Sequence, residues 1–270
     1  MGPDRAEALG RLTLERFGAL DDHWGIAHTL FSLGELGRAQ GDVVGAVRRF
    51  EEALVVARDV GPTWIVCATL VNLGSLAALQ GDDARATALH AEAIALSRRT
   101  GQRRGLAYAY NQMGSIARAR GDLERARHLH QEALAIVREI LAWSVPHTLG
   151  QLGCAEARLG ELDDAETHLR EAAALVLAVP QPATAALVLV GLALVALGLG
   201  RAEQAAVLLG AAEATRERVG ATPVGAERAE AELARDAARS RLGADAVQAA
   251  LGSGRGLATE QALRVALGPG

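Results

Sequence analysis

The sequence predicts an all-α protein, an α-solenoid of helical hairpins with about 40 residues per hairpin and further helices at the C-terminal end. The first observation is a set of small residues that recur every 39 or 40 residues over five copies. The second is apolar spacing typical of helices on both sides of a glycine. The third is a helix-breaking glycine at a constant place in each copy. A fixed period of this length indicates stacked supersecondary units.

Four columns of small residues define the period. The first column is glycine in four copies and alanine in the fifth: Gly34, Gly74, Gly114, Gly153 and Ala193. The second column is always glycine: Gly41, Gly81, Gly121, Gly160 and Gly200. The third and fourth columns are alanine: Ala46, Ala86, Ala126, Ala165 and Ala205, then Ala53, Ala93, Ala133, Ala172 and Ala212. We expect these residues to lie where helices cross, because larger side chains would force the helices apart.

Each copy contains two predicted helices. In the first copy, apolar residues recur at helical spacing at Ala27, Leu30 and Leu33, and again at Ala46 and Phe50. The second-column glycine separates the two segments, and aspartate follows it in the first three copies. Glycine suits the left-handed position that ends a helix, and aspartate suits the N-cap of the next one.

The two ends of the chain depart from the repeat. We expect an N-terminal half-repeat or cap at 1–20, with Ala6 in the third column, five repeats at 21–222, and C-terminal capping helices at 223–270. The half-repeat also fits a chain excised from a longer protein. The tail predicts helices near 225–241, 244–252 and 258–266. The first, from Pro223 to Arg241, would cover the apolar segment 183–198, which is then a buried helix rather than a membrane span.

The order Leu33-Gly34, Ala46, Phe50 and Ala53 resembles the tetratricopeptide repeat. The resemblance implies a right-handed α-solenoid whose first helices line an inner, partner-binding face. The usual unit has about 34 residues, so we expect each helix here to be about one turn longer.

The tail carries a second resemblance. The segments LLGAAEATRERVG (208–220), RLGADAV (241–247) and LATEQAL (257–263) are similar to the end of the helical-repeat region in LuxR-type and Streptomyces antibiotic regulatory ATP-dependent activators. That resemblance implies a bacterial regulatory or sensor array. The chain contains no P-loop and no helix-turn-helix, so we expect neither ATP hydrolysis nor direct binding of nucleic acid.

Composition excludes several function classes. The net charge is −4, aromatic residues make up 3%, and all 28 basic residues are arginine. Nucleic-acid binding is therefore disfavoured, and a P-loop or a Schiff-base enzyme lacks its lysine. The separated Cys67 and Cys154 form neither a metal motif nor a disulfide framework, and a cytoplasmic protein is expected.

No catalytic, cofactor or metal site emerges from the remaining residues. His128 and His130 are two residues apart, whereas a helical metal pair needs a spacing of four. We therefore expect no metal, no cofactor and no enzymatic activity.

Tryptophans recur ten residues before the first-column glycine at Trp24, Trp64 and Trp143, and Arg104 takes that place in the third copy. They fit either an aromatic ladder for a ligand or core anchors, and the sequence favours core anchors. A second ladder, of Glu52, Glu92, Glu132 and Glu171 with Arg58, Arg98 and Arg138, fits either partner binding or ion pairs between neighbouring units, and the pairs are favoured.

The expected site is the inner face formed by the first helices. Its amides can bind a peptide backbone and its arginines can pair with carboxylates. The candidate residues, all expected to be exposed, are His28, Glu35, Arg38, Asn72, Tyr108, Asn111, Gln112, Arg118, His147, Gln151 and Arg158. Leu187, Val190 and Leu194 would form an apolar end.

These residues predict a non-enzymatic scaffold that binds a protein or peptide, with no membrane contact and a possible homodimer. A small-molecule or signal-peptide receptor is the alternative, and an accessory enzyme on a helical scaffold is a third.

Overall fold

A computed structural model describes residues 3–60, 63–220 and 225–267, and within them it contains fourteen α-helices and no strand. The helices are α1 (Pro3–Ala19), α2 (His23–Gln40), α3 (Val43–Val60), α4 (Thr63–Leu79), α5 (Asp83–Thr100), α6 (Arg103–Ala119), α7 (Leu123–Ile140), α8 (Val145–Leu159), α9 (Leu162–Ala178), α10 (Pro182–Gly198), α11 (Ala202–Arg218), α12 (Gly225–Leu242), α13 (Ala244–Arg255) and α14 (Thr259–Leu267). A single turn of 3-10 helix, Ala142–Ser144, precedes α8. The predicted all-α class of helical hairpins is confirmed.

The helices form two compact units, Met1–Gln112 and Met113–Gly270, and the boundary falls inside α6. In the first unit, α2 packs against α3 and α4 against α5, and α1 packs against α2. Phe50, Ile65 and Leu70 are fully buried in its core.

In the second unit, α8 packs against α9 and α10 against α11, and the three C-terminal helices pack on this group. Every residue of α10 from Thr184 to Leu197 is buried. The apolar segment is therefore a core helix, as expected. Among the described helices, none combines the length and the hydropathy needed to cross a membrane.

The breaks between paired helices follow the predicted chemistry. All five second-column glycines adopt a left-handed conformation, with φ between 77° and 84°. Asp42 and Asp82 cap α3 and α5, because their carboxylates accept hydrogen bonds from the backbone N–H groups of Gly45 and Arg85 at 2.9 and 3.0 Å. Asp122 precedes α7 in the same conformation without a side-chain cap bond.

The small-residue columns lie between helices, as predicted. All ten alanines of the third and fourth columns have no exposed surface. Each first-column glycine faces a large side chain sixteen residues further on. A methyl group at the glycine would lie 2.5 to 2.7 Å from it in the pairs Gly34–Phe50, Gly74–His90, Gly114–His130 and Gly153–Leu169.

The helices of the tail also match the expectation in number and position. Pro223 and the side chain of Ala6, on which parts of that expectation rest, lie outside the described residues.

The glutamate–arginine ladder forms ion pairs within each unit. Arg58 lies 2.5 Å from Glu92, and Arg138 lies 2.7 Å from Glu171. These exposed pairs join successive hairpins, so the favoured interpretation is confirmed for both.

Histidines in the second and third copies occupy the core position that Phe50 occupies in the first copy. His90 and His130 are fully buried, and both ring nitrogens of His90 lack a hydrogen-bond partner among the described residues. Burial lowers the pKa of His90 from 6.5 to about 4. Burial, together with the charge of Arg118 and with His147, also lowers the pKa of His130.

We expect His90→Phe to raise the free energy of unfolding at pH 7 by about 1 kcal/mol, because an apolar ring replaces an unsatisfied buried imidazole. The unfolded chain takes up a proton on this imidazole below about pH 6.5, whereas the native chain does so only near pH 4. Stability therefore falls as the pH is lowered across this interval, and the variant should lose part of that dependence. Urea denaturation at several pH values measures both effects.

The exposed His128 provides the control, and His128→Phe should leave the pH dependence unchanged. A His90 variant whose stability falls as steeply as that of the wild type, or more steeply, would contradict the assignment of a neutral, buried His90.

Candidate partner-binding surfaces

The first unit exposes a group of aromatic rings on α2 and α4. We call Trp24, His28, Phe31 and Trp64 the aromatic surface. The ring of His28 stacks on Trp24 at 5.3 Å and meets the edge of Trp64 at 5.9 Å between ring centroids. Phe31 meets Trp64 edge-on at 6.0 Å and contacts the core ring of Phe50 at 5.7 Å. The surface is therefore continuous with the core of the unit.

The tryptophans are not core anchors, and the favoured sequence interpretation is wrong. Trp24 is 48% exposed and Trp64 is 38% exposed, while Trp143 in the second unit is 59% exposed. They occupy the first turns of their helices or the turn before, where the ring lies at the rim of a hairpin rather than inside it. Single exposed apolar residues are common on protein surfaces, but a contiguous patch, such as Trp24 and Trp64 form with His28, is typical of interaction sites.

The other candidates of the first unit are only partly available. Glu35 and Arg38 pair with each other at 3.1 Å. The half-buried Asn72 donates a hydrogen bond to the carbonyl of Ala68 at 3.1 Å. Asn111 is buried, which corrects the expectation that it is exposed.

Tyr108 and Gln112 are half-buried on α6. The guanidinium of Arg104 lies over the ring of Tyr108 at 5.9 Å. Arg98 donates to the hydroxyl of Tyr110 at 2.6 and 3.1 Å. The first unit therefore also carries two tyrosine–arginine contacts that involve α6.

In the second unit, four residues form what we call the buried carboxylate cluster: Arg118, Gln151, Arg158 and Glu230. Arg118 donates to the carboxylate of Glu230 at 3.0 Å and also to the side-chain oxygen of Gln151. Arg158 donates to the backbone carbonyl of Arg118 at 2.7 Å and lies 3.5 Å from the other oxygen of Glu230. His147 bonds the amide of Gln151 at 3.2 Å.

This cluster corrects the expected exposure of the site. Arg118 is 0% exposed and its partner Glu230 is 1% exposed. Gln151 is also buried, as are Leu187, Val190 and Leu194 of the expected apolar end. For Arg118 the reason is its contact with the buried carboxylate of Glu230 on α12, and α12 itself packs against α10 and α11.

Burial is the largest single influence on the pKa of Glu230 and on that of Arg118, and the facing charges oppose it. It raises the pKa of Glu230, and the guanidinium groups of Arg118 and Arg158 oppose this shift. Burial alone would lower the pKa of Arg118, but Glu230 and neighbouring groups outweigh it and the net shift is upward. Arg118 therefore stays charged.

Sequence reasoning missed Glu230, because nothing in its local sequence distinguishes it from the exposed acids of α12. The eleven candidate residues separate into two sets, one in each unit. The recurring tryptophans could have indicated the aromatic surface. The periodicity of the sequence does not indicate the contact of α12 with Arg118.

Helical hairpins with these columns define a tetratricopeptide-repeat protein. The sequence profile of the MalT-like TPR region matches residues 63–251. The chain belongs to this family.

Similar solved structures share the fold. One is BtubC (BKLC) from P. vanneervenii, with 19% identity, a TM-score of 0.64, and coverage of 83% of this chain and 94% of that chain. Another is a putative kinesin light chain of Podosopora anserina with TPR-like repeats, at 17% identity, a TM-score of 0.53, and coverage of 72% and 95%. No curated protein sequence matches the chain. Likeness at these identities shows the fold alone.

Proposed function

We propose that the chain is a non-enzymatic scaffold that binds a protein or peptide partner through the aromatic surface of its first unit. The observation that carries the proposal is the exposure of Trp24 and Trp64 around the stacked ring of His28. Aromatic side chains supply large contact areas at a small cost in conformational entropy, and tryptophan is enriched among residues that dominate binding energy.

Hydrogen-bonding side chains lie on the same two helices as the aromatic surface and suit an extended or helical peptide. Glu35 and Arg38 lie further along α2, and the amide of Asn72 lies on α4. An aromatic anchor surrounded by hydrogen-bonding side chains is a common arrangement at protein interfaces. Tetratricopeptide-repeat families are generally non-catalytic scaffolds, which also favours binding.

Selection from a random peptide display library yields ligands and tests the site in one experiment. Peptides enriched on the wild-type chain are labelled, and their affinities are measured by fluorescence anisotropy. We expect Trp24→Ala and Trp64→Ala each to weaken binding about tenfold or more, because each removes a large anchor.

Val55→Ala is the matched control. Val55 is an exposed apolar residue on α3, the second helix of its hairpin, whereas the two tryptophans lie on first helices. It should bind the enriched peptides as the wild type does. Peptides that bind the tryptophan variants and the wild type equally would contradict the proposed site.

The finer proposal is that the chain serves as the regulatory or sensor repeat region of a LuxR-type bacterial transcription activator. The tail segments that resemble those activators, together with the MalT-like family, support it. The coding sequence around this segment tests it. A reading frame that continues into a P-loop NTPase module supports the role, and a frame closed on both sides counts against it.

The small-molecule alternative gains less support. That alternative needs an open apolar pocket at the end of the inner face that Leu187, Val190 and Leu194 were expected to form. Leu187, Val190 and Leu194 lie on α10, which packs against α8, α9, α11, α12 and α14. Their side chains are engaged in packing within the second unit.

A further inference from the structure

The buried carboxylate cluster has the composition of a binding site rather than of a core. Two guanidinium groups, from Arg118 on α6 and Arg158 on α8, converge on one carboxylate, and the side-chain oxygen of Gln151 accepts a hydrogen bond from Arg118 and so holds its guanidinium. Arginine guanidinium groups placed in this way recognise carboxylates in binding sites. All three belong to first helices, and Glu230 comes from α12, 112 residues after Arg118.

The helix α12, which carries Glu230 into this site, makes few apolar contacts. Along α12 the buried residues are Ala226, Glu230, Ala234 and Ala238, a single stripe at intervals of four. Leu233 is exposed on the same helix. The burial of three methyl groups is small beside that of α10, whose side chains are buried without interruption over 14 residues.

Polar contacts supply much of the remaining attachment of α12. Glu227 pairs with Arg216 at 3.3 Å, and Arg235 pairs with Glu213. Arg241 donates to the backbone carbonyl of Leu197 at 2.5 Å. The more exposed of these pairs, Arg235 with Glu213, weakens with salt, and contacts of this kind can be exchanged for equivalent contacts from another helix.

The fit of Glu230 in the cluster is also incomplete. Arg118 Nε finds no hydrogen-bond partner among the described residues, and Glu230 Oε1 lies 3.5 Å from Arg158 without forming a hydrogen bond. Buried charges that are not fully satisfied carry a desolvation penalty, so the internal occupant does not use the full capacity of the site.

We propose that Arg118, Gln151 and Arg158 form a recognition site for an acidic helix of a partner protein, and that α12 occupies this site as an intramolecular ligand. The chemistry of α12 defines the partner: a helix with a stripe of small residues and a glutamate at its centre. Binding of the partner helix releases α12. This site consists of other residues than the aromatic surface, and the proposal does not rest on the proposed function of that surface.

The probe for the test is a labelled, end-blocked peptide with the sequence of residues 225–242. In the full-length Glu230→Gln chain the internal helix loses the charge that anchors it. We expect the peptide to bind this variant about tenfold more tightly than it binds the wild-type chain. The same peptide carrying Glu230→Gln should lose that affinity.

Glu232→Gln is the matched control, because Glu232 is an exposed acid on the same helix. This chain should bind the peptide as the wild type does. Equal binding to all three chains, or no binding to the Glu230→Gln chain, overturns the proposal. A Glu230→Gln chain that dimerises through exchanged α12 helices, detected by light scattering, also overturns it in favour of a second copy as the occupant.

A measurement on the wild type keeps the proposal testable if the variant fails to fold. In native-state hydrogen exchange, the amides of α12 should open separately from those of α10, with protection lower by roughly 100-fold. Raising NaCl from about 50 mM to about 1 M should lower the protection of α12 further. Exchange of α12 only together with α10 would show that α12 is part of the core and would overturn the proposal.

Discussion

Gly254→Ala is expected to lower the free energy of unfolding by about 3 kcal/mol, at the upper end of the usual cost of overpacking. Gly254 lies on α13 where this helix crosses α11. A methyl group there would overlap the backbone carbonyl of Val207 and lie 3.0 Å from the backbone nitrogen of Ala211. Backbone atoms cannot rotate away as a side chain can, so the two helices would have to separate.

Gly252 offers a control two residues away on the same helix. A methyl group at Gly252 meets no atom within 4 Å. Gly252→Ala should therefore stabilise the protein by about 0.5–1 kcal/mol, because alanine loses less backbone entropy in a helix. Urea denaturation followed by circular dichroism measures both, and a similar loss in the two variants would contradict the close crossing.

Leu169→Ala is expected to cost about 3 kcal/mol, within the range of roughly 2–5 kcal/mol for truncation of a buried leucine. Leu169 on α9 is fully buried. It fills the space over two glycines, because a methyl group at Gly153 or at Gly191 would come within 2.5 Å of its side chain. Without a Cβ atom at either glycine, the neighbouring helices have little with which to fill the cavity.

Leu175→Ala, on the same helix, is the matched comparison. Leu175 is 38% exposed, so its truncation should cost no more than about 1 kcal/mol. Thermal and urea denaturation of the two variants check the difference. Equal losses would mean that Leu169 does not fill the space that the glycines leave.

The repeat could be predicted from the sequence because its physical causes are local and periodic. The left-handed glycines and the buried alanines each act within one hairpin or between adjacent ones. A column such as Gly34, Gly74, Gly114 and Gly153 records the same packing constraint four times, and it is therefore visible in one sequence.

The candidate site was harder to predict because exposure depends on distant parts of the chain. Arg118 stands at an inner-face position of its repeat, and nothing near it indicates that Glu230 will cover it. The prediction that the tryptophans are buried was wrong for a local reason. Their period resembles that of core residues, but Trp24 and Trp64 lie where the hairpin ends and their rings remain half-exposed.

In the hairpins, a first-column glycine on the first helix packs against a large side chain sixteen residues later on the second helix. This contact is the basis of the repeat. A double-mutant cycle on Gly153 and Leu169 tests it most directly. We predict that Gly153→Ala costs about 1–3 kcal/mol in the wild type and is neutral or stabilising when Leu169 is already alanine. If Gly153→Ala costs the same free energy in both backgrounds, the two residues do not share a contact and the hairpin does not close in this way.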